Sequence, residues 1–216
     1  MKKILLLFLT IQSTLIFAQN LPDAAQKTIN NSLNKIESLD KIADKEEIAT
    51  QYTLIAATYY SNNKNNKAIE YYIKAINSTD NNSRKKMIQE TIAAIYRESQ
   101  NYNKAIEYYN QALTTSKKIG NSFFIYECQL NIAKIYDKLK KYQKAASMYE
   151  QVLITSIELN QQIKTKKALE NIKKNYSKLG NLKKVAKIEK ILKTNSFSKE
   201  NINKLYFANK VEKKDQ

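Results

Sequence analysis

Apolar and small residues recur along the chain at the spacing of amphipathic helices. In residues 55–76 and 92–113, isoleucine, alanine and tyrosine are separated by three or four positions, so each set shares one face of a helix. Both segments contain the same heptapeptide, NKAIEYY, at 66–72 and at 103–109. Because polar stretches such as SNNKNN at 61–66 interrupt the apolar pattern, it predicts helices joined in pairs by short connections.

The helical pattern itself repeats after 37 residues and then after 40 residues. Each copy places small residues and one tyrosine on two successive helices. The matching residues are Ala56, Tyr59, Ala68, Tyr72 and Ala75; Ala93, Tyr96, Ala105, Tyr109 and Ala112; Ala133, Tyr136, Ala145, Tyr149 and Val152. A fourth, degenerate copy keeps Tyr176, Val185 and Leu192. Periods of this length are typical of stacked helical arrays, in which each helix pair covers the apolar face of its neighbour.

Three of these copies resemble the tetratricopeptide repeat family. They are IAATYYSNNKNNKAIEYYIKAI at 55–76, IAAIYRESQNYNKAIEYYNQAL at 92–113 and IAKIYDKLKKYQKAASMYEQVL at 132–153. The family pattern combines a small residue and an aromatic residue on a first helix with small, aromatic and small residues on a second. The resemblance implies an all-α fold, a right-handed superhelical array of antiparallel helix pairs of the α-solenoid type.

The repeats and their flanks divide the chain into four parts. The predicted parts are a signal peptide at 1–18, an N-terminal capping helix or degenerate repeat at 19–48, four repeats at 49–194, and a C-terminal capping helix with a frayed basic tail at 195–216. The four repeats are predicted at about 49–82, 86–119, 126–159 and 166–194. Within the N-terminal part, the pattern predicts one helix over 23–43.

The first residues have the pattern of a secretory signal peptide. Lys2 and Lys3 precede a mostly apolar stretch that ends at Ala18, a small residue suited to cleavage. The alternative is an uncleaved anchor, but the apolar stretch is shorter than the roughly 20 residues of a spanning helix and polar residues interrupt it. We therefore expect an exported bacterial protein, periplasmic or secreted, with no transmembrane segment after the signal peptide.

The composition excludes several classes of function. The chain has no histidine, so it has no His-based catalytic triad and no His metal site. Its one cysteine, Cys128, allows neither an internal disulfide nor a thiolate metal cluster. With only 2 glycines, a glycine-rich phosphate loop is not expected either. We expect a non-enzymatic protein with no catalytic residue, no metal site and no cofactor.

The resemblance also implies a site, because tetratricopeptide arrays generally bind a peptide or helix of a partner protein in the concave groove lined by their first helices. Two asparagines take the place at which such arrays often hold a partner's backbone, since an amide both donates and accepts. The expected groove residues are Asn131, Asn171, Lys134, Lys138, Lys174, Lys178, Arg97 and Tyr60. Because these residues would make the groove basic, it would favour an acidic peptide.

The net charge of +17, from 37 basic and 20 acidic residues, leaves alternatives open. It is either a functional basic surface or a consequence of a composition rich in Lys, Asn, Ile and Tyr. Residues 161–216 contain 16 lysines and 5 acidic residues, so they could instead bind anionic lipid or acidic polysaccharide in the cell envelope. A free-standing sensor input module is a further alternative. Nucleic acid is not expected, because aromatic residues do not alternate with the basic ones, and the sequence indicates no particular oligomeric state.

Overall fold

The computed structural model describes residues 21–207, and this part of the chain is helical without any β-strand. The helices are α1 (Asp23–Glu37), α2 (Lys45–Ser61), α3 (Asn65–Asn77), α4 (Asn82–Glu98), α5 (Tyr102–Ile119), α6 (Ser122–Lys138), α7 (Tyr142–Glu158), α8 (Gln162–Lys178), α9 (Leu182–Thr194) and α10 (Lys199–Ile202), followed by a π-helical turn at Asn203–Phe207. The predicted signal peptide and the end of the basic tail lie outside the described residues. None of the described helices combines the length and apolar character needed to cross a bilayer.

The chain divides into two units between Asn81 and Asn82. The N-terminal unit contains α1 to α3, and the C-terminal unit contains α4 onward. In each unit, helices that follow one another along the chain pack side by side in opposite directions. The prediction of an all-α fold built from antiparallel helix pairs is therefore confirmed.

The first helix ends earlier than the sequence pattern predicts, at Glu37 instead of residue 43. A local turn replaces the helix there, because the Asp40 carboxylate accepts hydrogen bonds from the backbone N–H groups of Ile42 at 2.8 Å and Ala43 at 2.7 Å. Short acidic side chains compete with helical hydrogen bonds in this way. The apolar periodicity continues through the turn, although the helix does not.

The helix pairs are in contact through alanines that have no exposed surface. In the N-terminal unit these are Ala56, Ala68 and Ala75; in the C-terminal unit they are Ala93, Ala105, Ala112, Ala133 and Ala145. A methyl side chain lets two helix axes approach closely, toward the lower end of the usual interaxial distance of about 8–10 Å. Tyrosines fill the space beside the alanines, and only 6%, 2% and 2% of the surface of Tyr72, Tyr109 and Tyr149 is exposed.

A second set of tyrosines stacks between the two helices of a pair. The rings of Tyr59 and Tyr71 lie 5.5 Å apart, and those of Tyr96 and Tyr108 lie 5.7 Å apart, 37 residues further along the chain. In the next pair, a methionine occupies the place of the second tyrosine. A shallow opening of about 370 Å³ lies there, lined by Tyr136, Gln143, Lys144, Ser147 and Met148.

Six of the described connections between helices are closed in the same way, by a residue in the left-handed conformation. Two of these residues are glycines, Gly120 and Gly180, but the others are Asn63, Gln100, Lys140 and Asn160. The next N–H then donates to the carbonyl five positions earlier, as in the 2.9 Å bond that closes the connection at Lys140. The chain therefore makes tight turns with little glycine, at the energetic cost of placing larger residues in this conformation.

We expect Lys140→Gly to raise the free energy of unfolding by about 0.5–1 kcal/mol, because glycine adopts a positive φ without strain. Gly180→Ala is the matched control, for which we expect the opposite sign. Because no atom crowds the added methyl group, only backbone strain acts, and the substitution should lower the free energy of unfolding by about 1 kcal/mol. Urea unfolding followed by circular dichroism measures both. A destabilised Lys140→Gly would contradict the prediction.

Cys128 is buried in the C-terminal unit beside an ion pair. Its thiol donates to Glu90 Oε1 at 3.2 Å, and Lys86 Nζ lies 2.8 Å from Glu90 Oε2. Burial, reinforced by the negative charge of Glu90, raises the pKa of Cys128 to about 12. The thiol therefore stays protonated at neutral pH, in the state that is least reactive.

We expect Cys128 in the native protein to resist a soluble disulfide reagent, and to react fully after unfolding in urea, because the buried thiol is neutral and inaccessible. The control is Ser177→Cys in a Cys128→Ala background, since Ser177 is exposed. The thiol introduced there should react at least about a hundredfold faster than Cys128. Equal rates for Cys128 and the introduced thiol, both in folded protein, would show that the core opens far more readily than its packing indicates.

One carboxylate connects the C-terminal end of the described chain to three earlier helices. Glu150 Oε1 accepts hydrogen bonds from Tyr176 Oη at 2.9 Å, Lys184 Nζ at 3.0 Å and Tyr206 Oη at 2.6 Å. Burial alone would raise the pKa of Glu150, but the hydrogen bonds from Tyr206 and Lys184 outweigh it and lower that pKa below its usual value. This cluster attaches the last turn to the rest of the C-terminal unit, where Ile202 is fully buried.

We expect Glu150→Gln to lower the free energy of unfolding at neutral pH by about 1–2 kcal/mol, because charge-assisted hydrogen bonds are lost. The pKa of Glu150 is lower in the folded state, so its contribution is present above the unfolded pKa and disappears as pH falls through the folded value. The difference from the wild type should therefore shrink below about pH 4.

Urea unfolding of both proteins between neutral pH and about pH 3 tests this dependence. The matched control is Glu107→Gln on α5, since Glu107 is exposed and pairs only with Lys104 one turn away. Exposed pairs of this kind contribute little, so the control should behave like the wild type. A difference for Glu150→Gln that stays constant over the whole pH range would contradict the prediction.

Candidate functional site

A surface pocket of about 340 Å³ lies in the C-terminal unit, where α4 ends, α5 begins and the second half of α6 passes by. Its lining consists of Arg97, Glu98, Gln100, Tyr102, Asn131, Lys134, Ile135 and Lys138. The helix order explains the location, because α5 packs against both α4 and α6 and so brings these two first helices close together. The pocket is thus a product of the repeat.

The turn between α4 and α5 forms one wall of the pocket. Gln100, in the left-handed conformation, reverses the chain, and Tyr102 begins α5 two residues later. Lys138 Nζ, from α6, lies 5.4 Å from the centre of the Tyr102 ring, within reach of a cation–π contact. Tyr102 was not among the expected groove residues, although the next repeat has a tyrosine, Tyr142, at the same place 40 residues later.

The pocket carries a local excess of positive charge. Arg97, Lys134 and Lys138 are all exposed, and within residues 21–207 they form no ion pair with the protein. Glu98 contributes the one carboxylate of the lining. Three cations and one anion around a single concavity leave a net positive field for a ligand.

Asn131 adds a neutral hydrogen-bonding group to the same pocket. Its side chain is half-buried, and its amide makes no hydrogen bond to other described residues. An unbonded amide offers both a donor and an acceptor. Asn131 can therefore bind a polar group of a ligand next to the cations.

Two of the three expected groove residues on α8 have partners within the protein. Lys174 Nζ lies 2.7 Å from Asp137 Oδ2 on α6, and the Asn171 amide donates to the carbonyl of Lys167 at 2.9 Å. Lys178 is exposed at the end of α8. The structure thus brings Arg97, Asn131, Lys134 and Lys138 together in the pocket and places the α8 residues on the next first helix.

The last expected groove residue, Tyr60, belongs to the N-terminal unit. It lies near the end of α2, and its side chain is half-buried. Because it is part of the other unit, it is not among the residues that define the pocket. The expectation that Tyr60 takes part in binding stays a prediction.

The arrangement is suited to binding an anion. A guanidinium group and two ammonium groups can donate charge-assisted hydrogen bonds to a carboxylate or a phosphate, and these are stronger than neutral ones. Within the described part of the chain, no group of three His, Cys, Asp or Glu side chains is placed to hold a metal ion. The chemistry that the pocket offers is therefore recognition of negative charge.

Comparisons with protein families agree with the repeat pattern. Two family models, both described as tetratricopeptide repeat, match residues 51–82 and residues 87–153. The chain therefore contains tetratricopeptide repeats over these two ranges, as the resemblance predicted. The comparison with curated proteins gives no match.

Solved structures share the fold of this chain at low sequence identity. BtubC (BKLC) from P. vanneervenii is 17% identical, with 80% of this chain and 73% of that chain covered and a TM-score of 0.58. The TPR-like repeats of a putative kinesin light chain from Podosopora anserina are 16% identical, with 80% and 85% covered and a TM-score of 0.58. At these identities the similarity establishes the fold alone.

A third similar structure is longer than this chain. Aspartyl phosphate phosphatase F from Bacillus subtilis is 17% identical, with a TM-score of 0.55 over 72% of this chain. The match covers 42% of that protein, so this chain corresponds to less than half of its length. This similarity also concerns the fold only.

Proposed function

We propose that this chain is a non-enzymatic interaction module that binds an acidic segment of a partner protein in the pocket formed by Arg97, Asn131, Lys134 and Lys138. The observation that carries the proposal is the convergence of three cations without ion-pair partners, and one unbonded amide, on a single concave surface. The tetratricopeptide repeats support it, because members of that family generally bind peptides or helices of other proteins.

The size of the pocket favours a protein segment over a large folded surface. Its volume of about 340 Å³ is near the lower end of the roughly 300–1,000 Å³ found for small-ligand sites. One or two side chains of a partner would fill it. An Asp or Glu side chain would meet the cations, while the Asn131 amide would bond to the backbone of the segment.

We further propose that the chain is exported, on the basis of the signal-peptide pattern at residues 1–18. The partner would then be a protein of the periplasm, the cell surface or the surrounding medium. A search for the partner should therefore use envelope extract and secreted protein.

The test is a pull-down from these fractions with the immobilised full chain and with the variant Lys134→Ser/Lys138→Ser. We expect a protein that the wild type retains and that the variant recovers at about a tenth of that amount or less, since two charge-assisted contacts are lost. The matched control is Lys190→Ser/Lys193→Ser on α9, which removes the same charge from two exposed positions outside the pocket.

Two outcomes would contradict the proposal. If both variants retain the protein as well as the wild type does, the pocket is not the binding site. If the chain retains only anionic lipid or acidic polysaccharide, and salt removes it from all three baits alike, the basic residues beyond 161 act as a general polyanion surface.

A further inference from the structure

The pocket occupies one end of a longer exposed face of α6. Phe123, Glu127, Asn131, Lys134 and Lys138 fall within about 80° of the helix circumference, given 3.6 residues per turn, and none of them is buried. The polar members that line the pocket are in the second half of the helix. Phe123 lies at the opposite end of the same face, and 44% of its surface is exposed.

A second exposed apolar residue lies at the corresponding place of the next first helix. Ile163, 40 residues after Phe123, begins the equivalent face of α8 and is 74% exposed. The neighbouring Lys164 Nζ lies 4.5 Å from the ring centres of both Phe123 and Tyr126. This contact places the beginnings of α6 and α8 beside each other. We refer to the two exposed residues Phe123 and Ile163 as the apolar patch.

The first helix of the preceding pair, α4, extends this arrangement. Lys86 Nζ lies 3.9 Å from the centre of the Phe124 ring, which places the beginning of α4 beside that of α6. Met87, the next residue on α4, is 51% exposed. The N-terminal ends of α4, α6 and α8 thus present Met87, Phe123 and Ile163, whereas the C-terminal ends of α4 and α6 present the cations of the pocket.

We propose that the partner segment is bipartite: a large apolar side chain contacts the patch of Phe123 and Ile163 while an acidic side chain of the same segment occupies the pocket. This inference rests on the proposed function and specifies the chemistry of the segment. Charge complementarity with the pocket requires an acidic side chain at one end of the segment. The exposed apolar surface on the same helix face favours an apolar side chain at the other end, because burying that surface is favourable.

The segment binds as an extended chain. Asn131, with its unbonded amide, lies between the patch and the far end of the pocket on the same face of α6. An amide pairs with free backbone N–H and C=O groups, which an extended segment offers and a helical one has already used. From Phe123 to Lys134 the helix rises about 16 Å, a distance that about five residues of extended chain span.

The test is a selection from a displayed library of random peptides about 16 residues long, enough to cover the face in extended form. We expect the peptides retained by the full chain to carry Asp or Glu and a large apolar residue about five positions apart. Phe123→Ser/Ile163→Ser should remove the apolar preference and keep the acidic one, whereas Lys134→Ser/Lys138→Ser should remove the acidic preference.

The matched control for the apolar patch is Leu182→Ser on α9. Leu182 is 75% exposed, as much as Ile163, but it lies at the beginning of a second helix, away from this face. Its replacement should leave the selected peptides unchanged. One enriched peptide, synthesised with a fluorophore, should bind the Phe123→Ser variant about tenfold more weakly than the wild type. Inserting three residues between its acidic and its apolar residue should weaken binding to the wild type by a similar factor.

The outcomes separate this inference from the function on which it rests. Peptides with an acidic residue and no apolar preference would overturn the bipartite segment and leave the acidic pocket standing. A library with no acidic preference at all would overturn both. Sedimentation that shows a dimer dissociated by Phe123→Ser would also overturn the inference, because the patch would then be an interface between two copies of this chain.

Discussion

Contact between helices at fully buried alanines determines how far apart the helices of each unit lie. A methyl group at these positions lets neighbouring axes approach, and any larger side chain would push them apart. In the C-terminal unit the alanines lie on α4 to α7, and the buried rings of Tyr109 and Tyr149 are matched to the space that remains. The distance between α4 and α6, and with it the width of the pocket, follows from this packing.

The same packing divides each first helix into a buried face and an exposed face. On α6, Ile132 and Ile135 face the core, while Asn131 and Lys134 lie on the exposed side. The exposed positions are free of the packing constraint, so they can differ between repeats. The residue that corresponds to Asn131 on α4 is Thr91, whose hydroxyl bonds to its own helix, so recognition chemistry can vary on a fixed scaffold.

The sequence is sufficient to predict the helix pairs, because small residues and tyrosines recur at positions that packing dictates. Arg97, Asn131, Lys134 and Lys138 could also be assigned to one face from their places on the first helices. The residue at which α1 ends could not be predicted, because side-chain hydrogen bonds determine it. The ion pair between Lys174 and Asp137 could not be predicted from the sequence either, since it depends on side-chain positions on two helices.

The convergence of cations on one recess, more than the total charge, distinguishes the pocket from the rest of this basic chain. Two of the lysines on α8 and α9 are paired within the protein: Lys174 Nζ lies 2.7 Å from Asp137 Oδ2, and Lys184 Nζ lies 3.0 Å from Glu150 Oε1. Such lysines are already neutralised locally, and solvent screens isolated charges on convex helix faces. Cations that converge on a concavity without internal partners add to one another's field, because field lines concentrate in a recess bounded by protein.

An excess of lysine that arises from composition alone would lie scattered over helix surfaces. Arg97, Lys134 and Lys138 instead come from two helices to one recess, beside an unbonded amide. This is why we assign binding to the pocket and not to the lysine-rich end of the chain.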